Sequence, residues 1–252
     1  MILNWRGGRW QEEASLFDAL ELDTDCREIL SLTGGGGKTT VIRRMQREWM
    51  ARKIFHAVST TTHMQYEKNE SFLGTPSLES FLRIYESCGT VWMGEPVSEV
   101  KMKGFPETFL QKVIGTGAWL LLEADGAKCL PVKAPEVHEP VILPETTRVI
   151  QVYGLDGLDR PIGECCFRSH RVAEVLGKTE NDQLTETDLS LLAASTQGGR
   201  KMVGDRAYHV ILNKADTPKM VHRAVKAGKK MLEYGIQSVC ITSRLMEDAK
   251  ME

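Results

Sequence analysis

The sequence predicts an α/β protein of three layers, with helices on both faces of a mostly parallel sheet. Two observations predict it. Short apolar runs alternate along the chain with amphipathic stretches, the pattern of βα units on a sheet buried on both faces. The first unit also sets Gly34, Gly35, Gly36, Gly37, Lys38, Thr39 and Thr40 between a strand and a helix. Consecutive glycines let the backbone curl tightly enough to turn several N–H groups inward.

Taken in order, 28–32 (EILSL) reads as the first strand. Over 38–53 the apolar residues Val41, Met45 and Trp49 recur every four positions, which suits a helix packed on that strand. Strands follow at 54–59 and 90–93, with a helix between them at 78–88. Pro106 at a first turn opens a helix over 106–114. The most apolar run, 118–124 (AWLLLEA), is expected as a central strand. Four prolines between 128 and 145 exclude a long regular element there and predict a structured loop. Strands at 148–153, 208–212 and 238–242 complete the sheet, with helices at 168–176, 186–194 and 218–234. Residues 13–25 read as a helix plus turn. The domain is expected to span 28–252, preceded by an N-terminal addition over 1–27.

The glycine run has the order that phosphate binding needs: strand, glycines, lysine, hydroxyl, helix. The helix start contributes its amides and the positive end of its dipole. Lys38 is expected to reach the β- and γ-phosphates and Thr39 to ligate Mg2+. Leu32 stands where the usual eight-residue phosphate motif has its first glycine. Counted from Gly34, the loop has the shorter form found in Mur-type ligases. The predicted fold is therefore P-loop NTPase-like.

Other segments emerge at the same edge of the sheet. Glu123 and Asp125 end the 118–124 strand on one side, so both can reach a metal sphere, Glu123 as a ligand and Asp125 as a catalytic group. Ser59 to His63 follows the second strand and offers Thr61 and His63 to a γ-phosphate or a second substrate. Asn213, Lys214 and Asp216 form an N-K-x-D sequence after a strand, as in GTPases, where the aspartate reads guanine; Ile241 to Ser243 would be a second base-contacting loop. The bound nucleotide is thus GTP or ATP, with guanine favoured. The proline-stiffened segment from Glu123 to Pro144 carries Lys128, expected as catalytic, and Lys133, His138 and Glu139, expected to hold an anionic second substrate.

These segments together, TGGGGKTT, STTTHM, EADGAK-LP-KAP-HEP, GLD and NKAD, resemble the YqeC family of P-loop proteins. The resemblance runs from about Leu30 to Thr242, and its EADGAK…HEP block is the most specific part. It implies a role in selenium cofactor biosynthesis for selenium-dependent molybdenum hydroxylases. The implied partners are a selenium species and a molybdenum hydroxylase or its maturation proteins. Hydrolysis or phosphoryl transfer from the triphosphate is the first expectation. A nucleotide-gated switch or chaperone, and a Mur-like ATP-dependent ligase, are the others.

Composition narrows the remaining classes. A net charge of -2 supplies no basic footprint for nucleic acid or anionic lipid. No apolar run is long enough to span a bilayer or to form a leader, so a cytoplasmic protein is expected. The six cysteines include no Cys-x-x-Cys pair and fit reduced packing residues better than a metal framework.

Overall fold

The computed structural model describes residues 1–66 and 68–243. Its centre is a ten-stranded sheet. From one edge the strands are Arg9–Glu12, Ile2–Arg6, Ser238–Thr242, Ala207–Asn213, Arg148–Gly154, Ile29–Gly34, Trp119–Glu123, His56–Thr60, Val91–Met93 and Phe72–Leu73. The last eight of these run parallel. Among the described residues, eight α-helices accompany the sheet.

Alternation along the strands sends apolar groups to both faces. Leu30 and Leu32 pack with Val41, Ile42, Met45 and Trp49 of the helix Lys38–Ala51, together with Leu121, Val152 and Ile211. On the opposite face Ile29, Leu120 and Leu122 meet Phe109, Leu110 and Val113 of the helix Glu107–Gly115. Farther along that face Val210, Leu212 and Val239 meet Ala224, Ala227 and Met231 of the helix Pro218–Glu233. Helices therefore cover both faces, and the strands on either side of Ile29–Gly34 read as nearly continuous apolar runs for that reason.

The chain runs from Ile29–Gly34 toward one edge, returns through Trp119–Glu123, and then crosses to Arg148–Gly154 and the other edge. A parallel sheet wound in two directions from a central strand opens a crevice at the carboxyl ends of the strands beside the reversal. Gly34 and Glu123 both end there.

Three regions depart from expectation. Residues 2–12 form a hairpin turning at Gly7 and Gly8, with φ of 59° and 81°, and extend the sheet antiparallel to Ser238–Thr242. The helix expected over 13–25 is only Leu16–Ala19, capped by Ser15 and by Glu48, whose carboxylate accepts from the Leu16 and Phe17 amides at 3.0 and 2.9 Å. A small antiparallel sheet of His63–Gln65, Lys101–Lys103 and Glu95–Pro96 forms a flap. Strands of two or three mostly polar residues leave no readable periodicity.

Cys165 and Cys166 are buried and Cys129 is exposed. Among the described residues no helix is long and apolar enough to cross a membrane.

Candidate functional site

Glycine is required at the crevice by neighbouring backbone. A Cβ on Gly35 would lie 2.5 Å from the Leu130 carbonyl oxygen, and one on Gly36 would overlap the Gly154 amide. Gly34, Gly36 and Gly37 hold φ of 91°, 72° and 107°, which other residues rarely adopt. The first three amides of the loop are engaged internally. Gly34 N–H donates to Asp125 Oδ2, Gly35 N–H to the Val152 carbonyl and Gly36 N–H to the Leu130 carbonyl, each at 3.0 Å. Gly37 caps the helix Lys38–Ala51 without a side-chain partner for the helix-start amides. Those first-turn donors are where an anion can be met.

Lys38 is 4% exposed. Its Nζ lies 3.0 Å from Asp125 and 3.9 Å from Glu123, and it donates to the Gly34 carbonyl. Burial pulls its pKa down, but the Asp125 and Glu123 charges outweigh burial and raise it. Thr39 Oγ1 donates to Glu123 Oε2 at 3.0 Å. Burial pushes Glu123 up from the ordinary carboxylate value, against the opposing pull of Lys38.

Asp125 is the centre of a buried ion-pair chain. Lys133 Nζ lies 3.1 Å from Asp125 and 2.6 Å from Glu139, and donates to the Gly126 carbonyl at 2.8 Å. Arg168 closes the chain on Glu139 through two contacts, one of them 3.2 Å. Glu139 is pulled below the usual carboxylate range: burial would raise it, and the hydrogen bonds from Lys133 and Arg168 outweigh that. Lys133 is 2% and Glu139 6% exposed, so both of these loop residues are buried in this ion-pair chain, Lys133 against Asp125 and Glu139 against Lys133 and Arg168. His138, by contrast, is exposed at the loop tip and does not line the crevice.

The crevice encloses about 500 Å³ between the glycine loop, the flap and the segment 126–130. Lys128 and Cys129 line it with φ of 46° and 62°, left-handed values that non-glycine residues adopt at a cost. Lys128 Nζ lies 5.3 Å from the Phe167 ring centre. The flap contributes His63, Gln65 and Lys101. Gln65 and Lys101 escaped the sequence reading because only the paired strands bring them over the loop. Thr61 is tied elsewhere: its hydroxyl donates to the Val141 carbonyl at 2.7 Å and its amide to the Glu123 carbonyl at 3.1 Å.

The 213–216 segment closes the far side. Asn213 Nδ2 donates to the Gly36 carbonyl at 2.8 Å, and its Oδ1 accepts from Thr242 at 2.9 Å. Asn213 and Lys214 line the crevice, and Lys214 pairs with Asp156 at 2.6 Å. Asp216 accepts from Ser243 Oγ at 2.9 Å, which joins the two loops expected to meet a base. Among the described residues no group of three or more His, Cys, Asp or Glu side chains is placed to hold a metal ion.

With this geometry in place, the comparison with known families is decisive over the central half of the chain. The model described as "YqeC protein" matches residues 30–170. The chain belongs to the YqeC family. That span contains the glycine loop, Glu123, Asp125 and the 126–139 loop, and stops before Asn213. A YqeC relative in Escherichia coli (strain K12), described as "Uncharacterized protein YqeC", is 26% identical over 181 residues, covering 69% of this chain and 71% of the relative. No solved structure matches the chain.

Proposed function

We propose that this YqeC-family chain binds a nucleoside triphosphate with Mg2+ at the glycine loop and turns it over by hydrolysis or phosphoryl transfer. The process it serves, on the family resemblance, is selenium cofactor biosynthesis for selenium-dependent molybdenum hydroxylases. One observation carries the nucleotide reading. A lysine at the first position of a glycine-capped helix stands between two buried carboxylates, beside a threonine hydroxyl bonded to one of them.

The roles divide by position. The first-turn amides and Lys38 carry phosphate charge. Thr39 and Glu123 offer adjacent hard oxygens, the donor type Mg2+ prefers. Two protein oxygens suit this ion, which keeps several waters and takes phosphate oxygens rather than a full protein cage. When bound, Mg2+ neutralises charge on the polyphosphate. Asp125 is buried and holds Lys38, so it acts as an orienting group, with Lys133 and Glu139 fixing it in turn. Lys128, exposed in the crevice, is a cation able to meet a reacting phosphoryl group. His63, Gln65 and Lys101 of the flap are placed to face a second substrate. Asp216 with Ser243 supports guanine over adenine.

A second reading, a nucleotide-gated switch, is favoured by one contact. The Leu130 carbonyl accepts from Gly36, so a ligand that displaces the glycine loop also displaces 126–131.

Calorimetric titration of GTP and ATP with Mg2+ into the wild type and Lys38→Ala tests the proposal. A charged hydrogen bond is worth about 1.5–3 kcal/mol, so affinity should fall roughly 10- to 100-fold in the variant. Equal affinity in both proteins would overturn the assignment.

A further inference from the structure

We propose that Cys165 and Cys166 are a reversible oxidation site, closed to a vicinal disulfide by a hydroperoxide, whose state controls the cations beside the glycine loop. Cys165 ends the one-turn helix Ile162–Cys165, and Cys166 opens the strand Cys166–Phe167 with extended backbone, φ −114° and ψ 129°. Neighbours within a strand project to opposite faces. The change from helix to strand instead leaves the two sulfurs in contact, 3.6 Å apart. Both are buried, but the cover is thin. Gly163 and Glu164 beside them are exposed, and so short a helix opens locally to admit a small oxidant.

The two thiols are unequal. A hydrogen bond from the Cys166 thiol holds Cys165 below the ordinary thiol value against the effect of burial, and the Arg160 charge helps. The same bond and burial push Cys166 up. Cys165 is thus the nucleophile. As the thiolate it attacks one oxygen of hydrogen peroxide, the O–O bond breaks, and the leaving hydroxide takes up the proton that Cys165 released. The Cys166 sulfur then attacks the sulfenic acid: the S–S bond forms, the S–O bond breaks, and water leaves with the Cys166 proton. Two electrons pass from the thiols to the peroxide, which ends as two waters. Adjacent Cα atoms stand about 3.8 Å apart, short of the roughly 4.4–6.8 Å of ordinary disulfides, so the ring is strained and readily reduced by a dithiol.

Strain from the ring has a route to the crevice. Closing it takes the sulfurs from 3.6 Å to about 2.05 Å, and the backbone that must yield is paired in register, Cys166 with Val132 and Phe167 with Lys133. The Phe167 ring carries three cations, Lys128, Lys133 and Arg168, at 5.3, 5.6 and 4.9 Å from its centre. Arg168 follows at a φ of 58° and ends the ion-pair chain on Glu139. Displacing Phe167 and Arg168 therefore loosens Glu139 and Lys133 and withdraws the surface on which Lys128 rests. The oxidation itself is independent of the nucleotide reading; its effect on a triphosphate rests on that reading.

Hydrogen peroxide is the probe, applied to the full wild-type chain and followed by alkylation in denaturant and peptide mass mapping. The tryptic peptide 149–168 carries just these two cysteines. It should lose the mass of two hydrogens, escape alkylation, and return to the dithiol with dithiothreitol. The oxidised protein should melt about 4 °C or more below the reduced one and bind Mg2+-triphosphate about tenfold more weakly. Peroxide should leave Tm unchanged in Cys165→Ser/Cys166→Ser, which controls for oxidation elsewhere. Cys166→Ser alone should stop at a sulfenic acid on Cys165, captured by dimedone. Both cysteines still alkylated after the exposed Cys26 and Cys129 have been oxidised would overturn the inference. A closed ring with an unchanged Tm would overturn the link to the ion-pair chain. Ring closure and a lowered Tm, with no triphosphate bound in either redox state, would sink the nucleotide reading and leave this site standing.

Discussion

Replacing Lys133 with methionine keeps the length of the side chain and removes its charge. Lys133 is buried between Asp125 and Glu139, at 3.1 and 2.6 Å. Taking one partner from a buried charge pair costs about 3–5 kcal/mol, because the charge left behind has neither water nor a counter-ion. Both carboxylates here keep another partner: Lys38 and the Gly34 amide for Asp125, Arg168 for Glu139. The lower end of the range, about 3 kcal/mol, is therefore expected. In a domain of this size each kcal/mol moves Tm by about 2–4 °C, so Lys133→Met should melt roughly 6–12 °C below the wild type. The loss should shrink in acid. Glu139 titrates below its ordinary value of 4.5, so its ionised form supports the fold above that pH, and the support is lost as pH falls through the lowered folded pKa. Without Lys133 that folded pKa rises toward the ordinary value, so the variant has less of this support to lose and the Tm gap to the wild type should narrow as pH falls. Thermal scans by circular dichroism from pH 7 to pH 3 measure both effects, with the exposed Arg83→Met as control. A Tm within about 2 °C of the wild type at neutral pH would refute the idea that this chain of charges carries stability.

Three further outcomes are expected. Glu123→Gln should raise Tm at pH 7 while weakening Mg2+-dependent nucleotide binding. A carboxylate whose folded pKa is raised is held ionised at a cost above that pKa, and glutamine removes the cost; a lower Tm would contradict the burial argument. Asp216→Ala should weaken GTP by about 10-fold or more and ATP little, by calorimetry, and equal losses for both nucleotides would remove the guanine preference. Gly36→Ala should fail to reach the wild-type fold at 37 °C, judged by protease resistance. Its Cβ would overlap the Gly154 amide at a φ of 72°, so a native-like, resistant variant would mean that the loop is looser than described.

Much of the sheet was legible because buried parallel strands are apolar on both faces and the helices between them repeat with helical period. The strands at 29–34, 119–123 and 148–154 and the helices at 38–51 and 78–88 show this directly. The N-terminal hairpin was missed although Gly7-Gly8 between apolar and aromatic residues was a usable turn signal. Lys133 and Glu139 were expected to hold an anionic second substrate. A charged residue in a proline-rich loop gives no sign of burial, and only the approach of Asp125 and Arg168, distant in sequence, supplies the compensation.

The hairpin also bears on the order in which the protein is completed. Asn4 pairs with Cys240, Ile2 with Thr242, and the Ser243 amide donates to the Met1 carbonyl at 3.3 Å. The strand Ile2–Arg6 therefore waits for Ser238–Thr242, a contact of very long sequence separation that closes late in folding. Thr242 and Ser243 are the residues that steady Asn213 and Asp216. A fusion partner or bulky tag placed before Met1 would thus disturb the 213–216 segment more than the glycine loop, and recombinant protein for the GTP and ATP titrations is best made without one.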